Sequence, residues 1–383
     1  MAVVLAAVTA GCAMSRPPSD GRQALPDHAL RLLWRRSVAD RLTMPFTPIE
    51  RSTPALDPEG NRLFIGSSDE HLYALRASDG STLWRFKARG AVASEVAYDA
   101  ASKMVYFGTD DGFVYAVDAD TGAQKWRASA RGEVRRRPAL TPEALYVASG
   151  SDLVLALDRD SGRRLWLYKR DSPEGFAVEG HAGVALRERR VFAGFSDGTV
   201  AALDSSDGSV VWERDTSADL EPADEDSSLP QYLDVDTTPV VRDGMVWAAS
   251  QAAGIYALDE RGGGVRWRRD DLQGVGGLAL ARSELYAASS RTGIVALAPA
   301  TGLTRFEVRL RRGSTSLTSP VVARDLVLVG SSEGGNLYAI SRSSRNVVTI
   351  VNPGDGFNAT PIALGRRAFA LSNGGVVYSF EIQ

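Results

Sequence analysis

Four stretches of this sequence are copies of one pattern: GSSDEHLYALRASDGSTLW, GTDDGFVYAVDADTGAQKW, SGSDLVLALDRDSGRRLW and GFSDGTVAALDSSDGSVVW, ending at Trp84, Trp126, Trp166 and Trp212. A fifth copy ends at Trp267. Two degenerate copies carry Phe306 and Ile350 in the tryptophan's place, and an eighth, LSNGGVVYSFEIQ, reaches the C-terminus before any tryptophan. From Tyr73 to Trp84, and likewise from Tyr115, Leu155, Ala201 and Tyr256 to their tryptophans, the offset is 11 residues; the seventh copy reads one longer. Each unit contains short apolar runs punctuated by Asp-Gly and Ser-Gly pairs, which mark hairpin turns because glycine adopts positive φ without steric cost. No window shows a helical period, and a unit of roughly 40 residues fits the blade of a β-propeller rather than a helical solenoid.

The last copy lacks its fourth strand, and RLLWRR near the N-terminus, with Trp34 as the missing tryptophan, supplies one. Pairing the first strand with the last blade closes a ring and removes a free sheet edge. The expected fold is therefore all-β: one eight-bladed β-propeller of four-stranded blades over residues 30–383, closed by an N-terminal strand. Composition agrees, since 383 residues at 44% hydrophobic can bury a large core. The net charge of −3 offers no basic surface for nucleic acid. Nothing after residue 12 approaches the roughly 20 apolar residues of a membrane-spanning helix.

Cys12 is the single cysteine and follows the apolar stretch MAVVLAAVTAG. The string TAGC resembles a lipoprotein signal, which implies a signal peptide over residues 1–11 and lipidation of Cys12. Two features depart from that pattern: no Lys or Arg precedes the apolar stretch, and Thr9 stands where leucine is commonest. Residues 12–29 read as a flexible tether.

The blade unit, YALD…TG…W, resembles two families: the pyrroloquinoline-quinone dehydrogenases and the outer-membrane-protein assembly factor B (BamB) family of lipoprotein propellers. The string DVDTTPVV (234–241) and the blade after it are similar to the fifth blade of the BamB family, and SLTSPVVARDLVLVGSSEGGNLYAI to a later blade. That resemblance implies a non-enzymatic scaffold of the β-barrel assembly machinery, anchored by lipid to the outer membrane on its periplasmic face. It implies docking on the periplasmic domains of BamA, contact with nascent outer-membrane proteins, and no cofactor. It also implies that Asp234 and Asp236 engage BamA from an exposed rim loop, where water screens their repulsion. The other reading of the pair is local, one Asp capping the turn into the next strand. A second family contact loop, apolar-x-apolar-Arg-Gly, matches Phe176, Val178 and Gly180, with Glu179 where arginine is expected. Blade packing is the alternative for Phe176 and Val178.

Enzymatic readings find little support. The quinone enzymes need a calcium site and an adjacent-cysteine disulfide, which Cys12 alone cannot form. His28, His71 and His181 are far apart in sequence, not at metal-ligand spacing, and read as solvated. Asp111-Gly112 and Asp197-Gly198 read as turns, since the alternating acids of a calcium loop are missing. Arg135, Arg136 and Arg137 read as solvated surface. Counting back three from the proline nevertheless puts Arg51, Arg135 and Asp236 at equivalent positions, so the rim can carry both signs. The acidic insert 215–231 is polar and expected to be mobile. The rival functions are a small-ligand or quinone-binding propeller and a general interaction propeller with another partner.

Overall fold

The computed structural model describes residues 29–38, 49–171, 181–218, 233–310, 316–332 and 335–383. The described strands form eight four-stranded antiparallel sheets. In blade 1 the strands are a (Ala55–Leu56), b (Arg62–Gly66), c (His71–Arg76) and d (Thr82–Lys87), and blades 2 to 7 repeat that order from the channel outward. Strand a of each blade lines the channel and strand d is the outer edge. Blade 8 takes Ile362–Leu364, Arg367–Leu371 and Val376–Ile382 as a to c, and Leu30–Ser37 as d. The N-terminal strand runs antiparallel to the last one, with Trp34 opposite Ser379, and Gln383 donates its backbone N–H to Ala29 at 3.1 Å. The expected closure is what the structure shows. The expected signal peptide, and the expected tether up to residue 28, precede the first described residue.

Strands b and c are buried on both faces because a blade is covered by a neighbour on each side. They therefore read as continuous apolar runs, such as Val114, Tyr115, Ala116 and Val117. Strand d is the outermost, and its residues alternate between core and solvent.

The repeat's tryptophan has a mechanical role. The indoles of Trp34, Trp84, Trp126, Trp166, Trp212 and Trp267 each donate Nε1–H to a backbone carbonyl in the c–d turn of the following blade, at 2.8–3.0 Å. The ring lies flat on a glycine of that same turn. At Gly122, with φ +73°, a Cβ would stand 2.7 Å from the Trp84 ring, so both the conformation and the contact require glycine. Trp34 performs the same lock from blade 8 onto blade 1, against Gly80 and the carbonyl of Ala77.

The seventh copy corrects the sequence reading. In blades 1 to 5 the tryptophan stands opposite an alanine of strand c, as Trp84 does opposite Ala74, and in blade 7 the residue opposite Ala339 is Thr349, not Ile350. The spacing is thus 11 there as well, and Ile350 projects outward, 46% exposed. The physical reason is topological. A tryptophan in blade 7 would need a c–d turn in blade 8, and blade 8 has none because its strand d comes from the other end of the chain.

Candidate functional site at the channel mouth

On one face of the ring the b–c turns meet the loops that lead from strand d of one blade to strand a of the next. Four of these loops each insert one buried apolar side chain. The N–H groups of Val92, Val134, Val235 and Phe357 donate to b–c turn carbonyls of the preceding blade, those of Ser67, Thr109, Phe195 and Ser331, at 3.0–3.2 Å. Their side chains fill the space left by Gly66, Gly108, Gly194 and Gly330, where a Cβ would approach within 2.2–2.8 Å. A hydroxyl two residues further on closes the joint in two of them, Ser94 and Thr237 accepting from the N–H of Gly108 and Ala249, and in the loop entering blade 1 Ser52 accepts likewise from Gly66, each at 2.9 Å.

This interlocking overturns the exposed placement of the acidic pair. Asp234 and Asp236 flank Val235 and are only 2% and 8% exposed. The Asp234 carbonyl accepts the N–H of Gln251 at 3.0 Å, and Asp236 Oδ2 accepts Gln251 Nε2–H at 3.3 Å. Burial, and then the charge of Asp234, push the Asp236 carboxyl up to about 6, against a smaller downward pull from Arg136. Thr238 Oγ1 accepts the N–H of Gly183 at 3.0 Å and so ties this loop to the one entering blade 4.

Arg136 organises the loops around that acid. Its Nε donates to the His181 carbonyl at 2.8 Å and its Nη2 to the Asp236 carbonyl at 3.0 Å, so one guanidinium spans the loops entering blades 3, 4 and 5. Glu95 lies 3.6 Å from its Nη1. Arg135 pairs with Glu133 at 2.9 Å and Asp110 at 3.4 Å, so these two arginines are built into the mouth and are not solvated. Arg137 is the more exposed of the three. His181 is likewise buried, which corrects its reading as solvated. Its Nε2 accepts the N–H of Arg135 at 3.2 Å and its Nδ1 lies 3.0 Å from the Ala182 carbonyl. Burial holds it down to about 4, so the ring is neutral, as an accepting Nε2 requires. His71 is mostly buried beside Asp69.

Sequence reasoning missed Glu50. It stands two residues before Ser52, as Val92 stands two before Ser94, and it is only 2% exposed. Ser67 and Ser68 hydroxyls donate to it at 2.8 Å and the Ser68 N–H at 2.9 Å. Burial raises its carboxyl above the usual range, with those hydrogen bonds pulling it back.

Arg51, Arg135 and Asp236, which the count back from the proline aligned, line one cavity of about 430 Å³ together with Glu95, Arg136, His181, Gln251 and Asn358. Both signs of charge do meet there. A girdle of Thr53, Glu95, Ser319 and Thr360 separates this mouth from an apolar lumen of about 780 Å³ lined by Leu56, Tyr98, Leu140, Val184, Val321 and Ile362. Among the described residues no three or more His, Cys, Asp or Glu side chains are grouped to hold a metal ion. Asp111-Gly112 and Asp197-Gly198 are turns, with positive φ at both glycines. Phe176, Val178, Gly180 and Cys12 lie outside the described residues, as does most of the acidic insert.

The sequence model of the family described as "Outer membrane protein assembly factor BamB" matches residues 31–102 and 68–308, well over half of the chain. The chain belongs to the BamB family. The BamB of Yersinia pestis is 24% identical over 323 residues, spanning 84% of this chain and 69% of that protein. The crystal structure of BamB from Moraxella catarrhalis superposes with a TM-score of 0.76 at 22% identity, covering 92% of this chain and 99% of that one. A quinohemoprotein alcohol dehydrogenase from Pseudomonas putida reaches a TM-score of 0.67 at 13% identity over 92% of this chain and 76% of its own, a likeness of fold alone. BamB membership therefore rests on sequence and architecture together, while the dehydrogenase shares only the propeller.

Proposed function

We propose that the protein is a non-enzymatic scaffold of outer-membrane β-barrel assembly, tethered to the outer membrane through Cys12 and docking on the periplasmic domains of BamA with the loops of its mouth face. Membership of the BamB family carries this reading. The geometry refines how docking works. Asp234 is too deeply buried to touch a partner and holds its loop in place, whereas Asp236 lines the mouth cavity. The loops are clamped by Arg136 and by the inserted valines, so they present a pre-ordered surface and lose little freedom on binding. The family resemblance assigns the apolar contacts of docking to Phe176, Val178 and Gly180, which precede His181 in the sequence. Affinity should rest on such apolar residues, since exposed ion pairs contribute only ~0–1 kcal/mol each.

The test is co-purification of BamA with Phe176→Ala/Val178→Ala and with Asp236→Asn, each beside a thermal melt. The double alanine variant should melt normally and lose BamA. Asp236→Asn should keep its fold and capture less. If both variants bring down BamA as the native protein does, the mouth face is not the docking surface.

A further inference from the structure

We infer that the outer strand of blade 7 (Asn346–Val351) is a docking edge for an extended, uncharged segment of a partner polypeptide, added as a fifth strand; this deepens the proposed function and rests on it. An outer strand presents unpaired N–H and C=O groups, and proteins discourage pairing there with charge. Seven of the eight outer strands follow that rule: each carries at least two charged side chains, such as Arg85 and Lys87 in blade 1 or Arg266, Arg268 and Arg269 in blade 5. The blade 7 strand, NVVTIV, carries none.

Two further observations single out the same blade. Blade 7 has no tryptophan lock on either side: blade 6 offers Phe306, met by the Arg345 guanidinium 5.7 Å from its ring, and blade 7 offers Thr349 toward a turn that blade 8 lacks. Moreover, Thr349 Oγ1 is shut off from solvent and meets no hydrogen-bond partner among the described residues. The blade without a tryptophan lock on either side thus has the one uncharged outer strand, with Ile350 and Asn346 exposed along it.

The occupant follows from the charge. From Asn346 to Val351 a charged segment finds nothing to pair with and an uncharged one nothing to repel it; the nearest charge in sequence, Arg345, is turned onto the Phe306 ring. Segments destined for a transmembrane β-barrel have that chemistry, with apolar residues at alternate positions and no charge toward lipid. Backbone pairing supplies the affinity and the exposed Ile350 side chain the contact beside it.

The experiment uses the full chain and a fluorescent, end-capped decapeptide of alternating Val and Thr, with a copy N-methylated along one edge as control. Anisotropy reads binding, and amide hydrogen exchange reads protection of residues 346–351. The expected result is that Ile350→Lys and Asn346→Lys, both at exposed positions, keep the native melt and weaken binding at least tenfold. Leu83→Lys on the blade 1 edge leaves it unchanged, and the N-methylated peptide does not bind. Protection of other outer strands, or equal binding by the lysine variants, overturns the inference. So does a mass that doubles with concentration and falls back in Ile350→Lys without any peptide protection, since the occupant is then a second copy. BamA capture is measured on the same variants: Ile350→Lys that loses the peptide yet retains BamA supports the inference. Loss of BamA capture in Ile350→Lys overturns the inference, since the edge then belongs to the BamA contact; failure of the docking reading is read separately, in the mouth-loop variants.

Discussion

Asp236 and His181 sit in one cavity and are displaced in opposite directions, so their contributions to stability slope against each other. The Asp236 carboxyl is raised from 3.8 to about 6, so the fold holds a proton that the unfolded chain releases, and stability is lost as pH rises through that window. The His181 imidazole is lowered from 6.5 to about 4, so stability is lost as pH falls through its own window. Each displacement corresponds to about 3 kcal/mol at most. The two should nearly cancel between pH 4 and 6, leaving a flat profile. Asp236→Asn removes one of them: we expect the variant to be more stable than the native protein by about 1–3 kcal/mol above pH 6. That advantage should shrink toward pH 4, and its own stability should fall with acid as His181 takes up a proton. Urea melts across that range check this, and an advantage independent of pH would show that Asp236 is ionised without penalty. A surface control for these melts is the exposed Asp160 and not Asp197, which is paired with Arg170 and accepts the Thr199 N–H at 2.9 Å.

Within a blade, the lock joining one sheet to the next is a single indole, a single carbonyl and a single glycine. Trp34 is only half buried, so Trp34→Ala should cost about 3 kcal/mol, the lower end of the ~3–5 kcal/mol for truncating a packed aromatic. Gly80→Ala pushes a Cβ into that same ring and should cost less once Trp34 is already alanine, a coupling of about 1 kcal/mol. A double-mutant cycle by denaturant melting reads it, and simple additivity would mean that the ring yields freely. The lock also explains what was legible in the sequence. Blade count, strand order and closure could all be read because Trp, Gly and the apolar c strand recur at fixed offsets. Ile350 was misplaced because an apolar residue invites assignment to an apolar site, and only the register with Ala339 shows the polar Thr349 there. The acids were misplaced for another reason: sequence reveals that a loop is polar, but not that Val235 draws it between two turns. Glu50 left no signal at all, since burying a carboxylate depends on serines 17 and 18 residues away.

At the scale of the whole ring, closure joins residues 350 apart, as in the pair between Arg31 and Glu381. Deleting residues 29–38 should leave Val376–Ile382 as a bare edge, and we expect that variant to self-associate, visible as a rise in mass by light scattering, even where its secondary structure persists. A variant that stays monomeric would show that another segment covers the edge. The direction of the locks has a temporal consequence. Every tryptophan reaches forward, and Trp34 reaches only 43 residues ahead, to Ala77 in blade 1. We therefore expect the first strand to be moored by this local contact before its sheet partner at the C-terminus arrives, and pulse-labelled hydrogen exchange that protects Val376–Ile382 ahead of blade 1 would overturn that order. While it waits it is an open strand, and Arg31, Arg35 and Arg36 repel copies of itself. The final event of folding is then the arrival of the C-terminal strand at a berth already in place, where Glu381 meets Arg31 and the charge that kept strangers away becomes the charge that holds the ring shut.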